Sequence, residues 1–228
     1  MTSGRWSRYA RRHLQAGGIR IAYEAWSSHV PTLSYLLQFR PPPARLLSIG
    51  CGLGLVDLLL AGHGYEVTSI DDDEEVLESA RALAQRFGAG LRFEAADAFH
   101  LDRYHDGFDI AFSAGLVEHW NGRRTVELLA EHARCAPLVQ VEVPTRHTFH
   151  AVSVREVAED MHVFTPREFA ARVREAGLQV EKLYPTGGVP TRTRQVLESL
   201  LPPFLFRRLQ RLAGYSMGIG CIARRLPG

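Results

Sequence analysis

The sequence predicts an α/β domain with a mostly parallel sheet, and three observations support this fold class. The chain has 228 residues, 46% of them hydrophobic, which is enough for one such domain with a full core. Between residues 44 and 184, short apolar runs alternate with helical patterns, as in successive βα units. The first five runs are almost continuously apolar, which is typical of strands covered on both faces. The predicted strands are Arg45–Ile49, Glu66–Ile70, Leu91–Ala95, Phe108–Ser113, Leu138–Val143, Leu178–Tyr184 and Gly218–Arg224.

Helical patterns fill the gaps between these strands. The predicted helices are Glu74–Phe87, Arg123–Ala133 and Thr165–Ala176. The last begins with a clear start pattern, because Thr165 can cap it, Pro166 suits its first turn and Glu168 completes a capping box. Gly88 and Gly177 follow two of the helices at positions where glycine commonly ends a helix.

Two segments lie outside this alternating pattern. Residues 1–43 are rich in arginine and aromatic residues, and residues 187–213 place many apolar residues between the last two strands. Both segments can cover the carboxyl edge of the sheet as a lid over a ligand. The alternative is that they pack as ordinary core or as a dimer face, so a monomer and a homodimer both remain open.

Composition excludes several classes of protein. The longest apolar stretches fall far short of the ~20 residues that span a bilayer, so no membrane association is expected. The first twenty residues lack an apolar core, which argues against a signal peptide. The three cysteines, Cys51, Cys135 and Cys221, are too far apart for a disulfide framework or a zinc site. This pattern predicts a reducing compartment, and therefore a cytoplasmic protein.

A glycine-rich loop follows the first predicted strand. It reads Gly50-Cys51-Gly52-Leu53-Gly54. The dinucleotide pattern would need a further glycine at position 55 or 57, where the chain has Leu55 and Asp57. No Gly-Lys-Ser/Thr follows, which excludes a Walker loop. The missing Cβ atoms therefore let the backbone approach a ligand that carries no pyrophosphate.

Two acidic positions follow the next two strands. Asp71 ends the second strand, 19 residues after Gly52, where a carboxylate can accept from both hydroxyls of a ribose. After the third strand, Asp97 can accept from an adenine amine while the backbone of Ala98 donates to the ring. The alternatives are that Asp71 and its neighbours cap the following helix and that Asp97 is a turn residue. We expect Asp73 to cap and Asp71 to bind.

In this order, the motifs resemble the class I S-adenosylmethionine-dependent methyltransferase family. The resemblance covers residues 44–184 and the last strand, and Glu118-His119 after the fourth strand looks like the small-molecule branch. It implies a Rossmann-like, doubly wound sheet of seven strands in the order 3-2-1-4-5-7-6, the last antiparallel, with an N-terminal helical extension. Residues 1–43 would be a helical cap or lid, and residues 44–228 the cofactor domain with a helical insertion at 187–213.

The resemblance also implies S-adenosylmethionine as cofactor and a set of residues that contact it. These are Gly50, Gly52, Gly54, Asp71, Asp97, Ala98 and Ser113.

Methyl transfer from a sulfonium depends mainly on alignment, and a general base is needed only when the acceptor must lose a proton. His119 and His147 follow strands four and five and are the candidate catalytic residues. Trp120, Arg146 and His150 are the candidate substrate contacts. The alternatives are structural or solvated roles for each. No metal is predicted, because the pair His147 and His150 lacks a third ligand.

The function predicted from these residues is methyl transfer to a small molecule, in bacterial natural-product biosynthesis. One alternative keeps the cofactor pocket for displacement or cyclisation chemistry without methyl transfer. A second alternative, RNA methylation, rests on N-terminal arginines, and the net charge of only +2 argues against a nucleic-acid partner.

Overall fold

The structure is a computed structural model of the chain. It describes residues 18–145, 161–187, 199–202, 204–206, 208 and 216–226. Arg146, His147 and His150, residues 1–17 and most of the predicted insertion at 187–213 lie outside the described residues. No helix among those described is both long and apolar enough to cross a bilayer.

The described strands form one sheet of seven. They are β1 (Arg45–Ile49), β2 (Glu66–Asp71), β3 (Arg92–Ala95), β4 (Ile110–Ala114), β5 (Leu138–Pro144), β6 (Leu178–Thr186) and β7 (Gly218–Arg225). Their spatial order is β3-β2-β1-β4-β5-β7-β6. The first five pair in parallel, and β7 runs antiparallel to both β5 and β6. The predicted fold class and strand order are confirmed.

Helices cover both faces of the sheet. They are α1 (Gly18–Phe39), α2 (Leu55–Gly62), α3 (Glu74–Arg86), α4 (Gly122–Cys135) and α5 (Pro166–Glu175). Side chains alternate along each strand, so Leu46 of β1 packs in the cluster that includes α1 and α2, whereas Leu47 packs in the cluster that includes α4 and α5. The result is a sheet buried on both faces, as the continuous apolar runs predicted.

Helix α1 contributes directly to this core. Leu33 and Leu36 are buried among residues of β1, β2 and β4, and the Thr32 hydroxyl donates to the buried Glu142 carboxylate of β5. Trp26 donates from its indole nitrogen to the Leu55 carbonyl oxygen over 2.7 Å. These contacts hold one side of α1 against the sheet and against α2.

The fourth strand begins two residues later than its apolar run predicts. Asp109, inside the predicted strand, accepts from the Arg45 backbone nitrogen at 2.8 Å and from the Arg40 guanidinium at 2.7 Å. The Asp109 carboxylate thus binds the first residue of β1, and β4 begins at Ile110. The apolar pattern could not show this, because it arises from the packing of two distant segments.

Asp73 and Thr165 cap their helices as predicted, but in the described contacts the Glu168 carboxylate meets His162 and does not complete the predicted capping box. Asp73 accepts from the backbone nitrogens of Glu75 and Val76 at the start of α3. Thr165 accepts from the Glu168 nitrogen at the start of α5, and the Glu168 carboxylate contacts the His162 imidazole at 2.8 Å. These caps fix the chain where it leaves the carboxyl edge of the sheet, the edge at which parallel strands β1–β5 end and where ligands bind in open α/β folds.

Candidate functional site

The glycine loop joins β1 to α2 at the carboxyl edge. Gly50, Gly52 and Gly54 all have positive φ, at 67°, 54° and 66°. A Cβ added at Gly52 would meet no atom within 4 Å, so the space above this residue is open to a ligand. A Cβ at Gly50 would lie 2.7 Å from a methyl carbon of Leu116, so the loop also packs closely against the segment after β4. The loop therefore presents bare backbone to an open space.

Asp71 fixes this loop from the end of β2. Its carboxylate accepts from the Gly52 nitrogen at 3.0 Å and from the Asp73 nitrogen at 3.2 Å. Burial raises the pKa of Asp71, and these two bonds act against that rise. Each oxygen keeps a further lone pair, so the group still has the capacity to accept from a ribose beside the loop.

A second carboxyl group, which the sequence pattern did not single out, lies beneath the loop. Asp57 of α2 is buried and accepts from the hydroxyls of Ser48 on β1 at 2.8 Å and Ser69 on β2 at 2.6 Å. Burial raises its pKa from 3.8 to about 6. Asp57 thus ties the ends of the two strands that carry the loop and Asp71.

Asp97 begins the turn after β3. Its carboxylate accepts from the Phe99 nitrogen at 2.9 Å and lies 2.9 Å from Nδ1 of His100. Ala95, two residues earlier, pairs with Asp71 in the sheet. Asp97 therefore makes the turn contacts of an aspartate while lying with Ala98 at the same edge as Asp71, so the turn role is present and the adenine contact stays a prediction.

Ser113 on β4 is engaged away from the edge. Its side chain is buried, and its hydroxyl lies 2.9 Å from Nε2 of His132 on α4. The other ring nitrogen, Nδ1, lies 2.8 Å from the Leu128 carbonyl oxygen and donates to it, so Nε2 accepts from Ser113. Any contact of Ser113 with a cofactor would therefore come from its backbone.

His132 is expected to make the fold sensitive to acid. Burial lowers its pKa from 6.5 to about 4, so the unfolded chain takes up a proton that the folded protein resists. Stability from this group is full above pH ~6.5 and declines as the pH falls towards 4. Between pH 7 and pH 4, the wild type should lose about 3 kcal/mol more unfolding free energy than His132→Gln, measured by urea denaturation. If the unfolding free energies of the two proteins fell equally between pH 7 and pH 4, His132 would not be the source of this acid sensitivity.

A cavity of about 420 Å³ opens beside the chain that follows β4. It is lined by Glu118, His119, Trp120, Asn121, Arg124, Met161 and His162. The chain passes from β4 through a short 3₁₀ turn, Val117–His119, into α4. The opposite wall comes from residues before α5, where the His162 nitrogen donates to the Glu118 carbonyl oxygen at 2.7 Å. Two segments distant in sequence thus form one cavity.

Two of the predicted acceptor residues line this cavity. His119 and Trp120 are adjacent and half-buried, with their rings perpendicular and 6.2 Å apart. Trp120 also meets Phe99 edge-on at 5.0 Å, and the Arg124 guanidinium lies 3.8 Å above the same Phe99 ring. The structure thus places an imidazole and an indole at the end of β4, beside the segment that packs against the glycine loop.

Three further residues line the cavity, namely Glu118, Arg124 and His162. The sequence indicates Glu118 only through the Glu-His pair after the fourth strand, and it gives no signal for Arg124. His162 precedes the helix capped by Thr165, where it can reach this cleft or lie in a surface loop, and it lies in the cavity wall. The hydrogen bond from the His162 backbone nitrogen to the Glu118 carbonyl oxygen joins segments some forty residues apart in the sequence. No local sequence pattern reveals such a contact. Among the described residues no group of three or more His, Cys, Asp or Glu side chains could hold a metal ion.

Comparison with known proteins agrees with this geometry. A family model described as a methyltransferase domain matches residues 46–136. A ubiquinone biosynthesis O-methyltransferase of Coxiella burnetii is 32% identical over 75 residues, which are 33% of this chain and 32% of that protein. The enzyme of the same name from Xanthomonas axonopodis pv. citri is 27% identical over 176 residues, 71% of this chain and 74% of that protein.

A solved structure shares the fold. The magnesium protoporphyrin IX methyltransferase of Synechocystis, solved with bound SAH, superposes with a TM-score of 0.63 over 91% of this chain and 85% of that one. The identity is 15%, so this likeness concerns the fold alone. The match to the Coxiella relative spans about a third of that protein's length, which leaves activity and substrate open. In its strand order, its glycine loop with Asp71 and the match of residues 46–136 to a methyltransferase-domain model, the chain is similar to the class I S-adenosylmethionine-dependent methyltransferases.

Proposed function

We propose that this protein transfers the methyl group of S-adenosylmethionine to an oxygen of a small molecule. The observation that carries the proposal is the placement of two half-sites at one edge of the sheet. The glycine loop and Asp71 form the first, and the cavity beside His119 forms the second. Leu116 joins them, because it packs against Gly50 and directly precedes the turn that carries His119.

The residues of the first half-site fit the family's cofactor. The open space over Gly52 leaves room for the methionine part beside bare backbone, and Asp71 keeps lone pairs for the ribose hydroxyls. Asp97 and Ala98 would hold the adenine from the end of β3. When bound, the cofactor supplies an activated methyl group on a positively charged sulfur.

The second half-site can align an acceptor and receive its proton. The Trp120 indole offers a flat apolar surface to a planar molecule, and the His119 imidazole can take a proton from a hydroxyl at near-neutral pH. The segment carrying Arg146, His147 and His150 follows β5, so we expect these residues to contribute further contacts.

An oxygen acceptor is supported by the relatives, two of which bear the name O-methyltransferase. A role in bacterial natural-product biosynthesis, a cytoplasmic location and the absence of a nucleic-acid partner belong to the same proposal. Product analysis after reaction with methyl-labelled S-adenosylmethionine tests the proposal. Label in the acceptor supports methyl transfer. Conversion of an acceptor without label would instead support displacement or cyclisation in the same pocket.

Replacing Asp71 by alanine tests the cofactor half-site. We expect the affinity for S-adenosylmethionine and for SAH to fall by about 1.5–3 kcal/mol, roughly 10–150-fold in Kd, because charge-assisted hydrogen bonds to the ribose are lost. Asp72→Ala is the matched control, since its exposed side chain lies one residue further on. Titration calorimetry gives both affinities. Equal affinities for the two variants, or binding of NAD instead, would refute the assignment.

A further inference from the structure

Glu118 carries the strongest unexplained feature of the cavity. Its side chain is 1% exposed, and its Oε2 atom has no hydrogen-bond partner. Buried carboxyl oxygens are normally paired, because an unmade hydrogen bond costs about 1–3 kcal/mol. Glu118 also lines the cavity, so a ligand held there is a candidate partner for this oxygen.

The Arg124 guanidinium and the His162 imidazole, which also line the cavity, each contact a carboxylate other than Glu118. The Arg124 guanidinium is stacked on Phe99 and lies 3.4 Å from the Glu127 carboxylate. The His162 imidazole is 2.8 Å from Glu168. Burial without a compensating charge raises the pKa of Glu118 from 4.5 to about 8, which favours the neutral carboxylic acid at pH 7.

Glu118 also lies close under an exposed part of the edge. A Cβ added at Gly115, directly after β4, would be 3.6 Å from Oε1 of Glu118. Gly115 is exposed, and Glu118 directly precedes His119 in the turn after β4. An acceptor held beside His119 would therefore be close to this group.

Resting on the proposed function, we propose that Glu118 is a specificity-determining residue whose neutral carboxyl group donates a hydrogen bond from Oε2 to a carbonyl oxygen of the acceptor. The acceptor class is thus a small planar molecule that carries a carbonyl beside the hydroxyl to be methylated. His119 receives the hydroxyl proton, and Glu118 holds the neighbouring oxygen without exchanging its own proton.

A pair of model ligands tests this assignment by binding alone. The probes are 2-hydroxyacetophenone, which has the carbonyl, and 2-ethylphenol, which lacks it, each titrated into the protein saturated with SAH. We expect the wild type to prefer the ketone roughly 10-fold, since one buried donor is satisfied. Glu118→Gln, which keeps an N–H donor, should retain the preference, and Glu118→Leu should abolish it.

Infrared spectroscopy supplies a second readout that needs no ligand. The difference spectrum between the wild type and Glu118→Gln at pH 7 should contain the carbonyl stretch of a protonated carboxylic acid. Absence of that band would overturn the proposal. So would equal or undetectable binding of both probes by the wild type, loss of the preference in Glu118→Gln, or its persistence in Glu118→Leu.

These outcomes are separate from the proposed function. Failure of the wild type to bind SAH, or of labelled methyl to reach any acceptor, would count against methyl transfer. Neither result would change the infrared band of Glu118.

Discussion

Replacement of His119 by glutamine is expected to lower the maximal rate of methyl transfer by about 10²–10⁴-fold. The His119 imidazole can take a proton from a hydroxyl, whereas the other imidazole of the cavity, His162, lies 2.8 Å from the Glu168 carboxylate. Glutamine keeps much of the size of His119 while losing its basicity. Cofactor affinity should stay unchanged, because the glycine loop and Asp71 lie in the other half-site. Initial rates with labelled cofactor, together with calorimetry of SAH binding, measure both quantities.

The pH dependence of this loss identifies the mechanism. As the pH rises, more of the acceptor hydroxyl ionises without help, so the deficit of His119→Gln should shrink. His63→Gln is the control, since His63 is an exposed residue at the end of α2 whose Nδ1 contacts only the Leu59 carbonyl oxygen in the described contacts. A His119→Gln protein with full activity across the pH range would leave alignment as the only catalytic device.

Leu36→Ala is expected to lower the free energy of unfolding by about 2–5 kcal/mol. Leu36 is 0% exposed and packs among residues of β1, β2 and β4, so truncation removes buried apolar surface and leaves a cavity. Leu37→Ala is the matched control, because this neighbour on α1 is 39% exposed. Urea denaturation followed by circular dichroism gives both values.

This comparison separates the two interpretations of the N-terminal segment. If α1 is core, only Leu36→Ala should reduce stability, by an amount far above the roughly 0.5 kcal/mol of an ordinary surface change. Equal effects of the two substitutions would mean that α1 is held loosely, as a detachable cap would be.

The fold was accessible from the sequence because its main determinants are local. Short apolar runs predicted all seven strands, and the capping residues Asp73 and Thr165 predicted two helix starts within a residue. The predicted start of the fourth strand, Phe108, is two residues early, because the Asp109 side chain accepts hydrogen bonds from Arg45 and Arg40. The local hydrophobic pattern therefore predicts helices and strands more accurately than it predicts the residues at which they begin and end.

The candidate site was only partly accessible. The glycines and Asp71 follow strands in a recognisable order, so their place at one edge followed from topology. The proximity of Glu118, Arg124 and His162 could not be predicted, because it depends on how the chain after β4 meets the chain before α5. Asp57 was missed for a similar reason, since an acid on an apolar helix reveals nothing about the two serines beneath it.

The cavity has one wall from within the matched methyltransferase segment and one from outside it. Residues 46–136 contain the glycine loop, Asp71 and His119, whereas Met161 and His162 come later in the chain. The far wall can therefore be altered without touching the matched segment. A substitution at Met161 changes the shape of the cavity while the glycine loop, Asp71 and His119 keep their sequence.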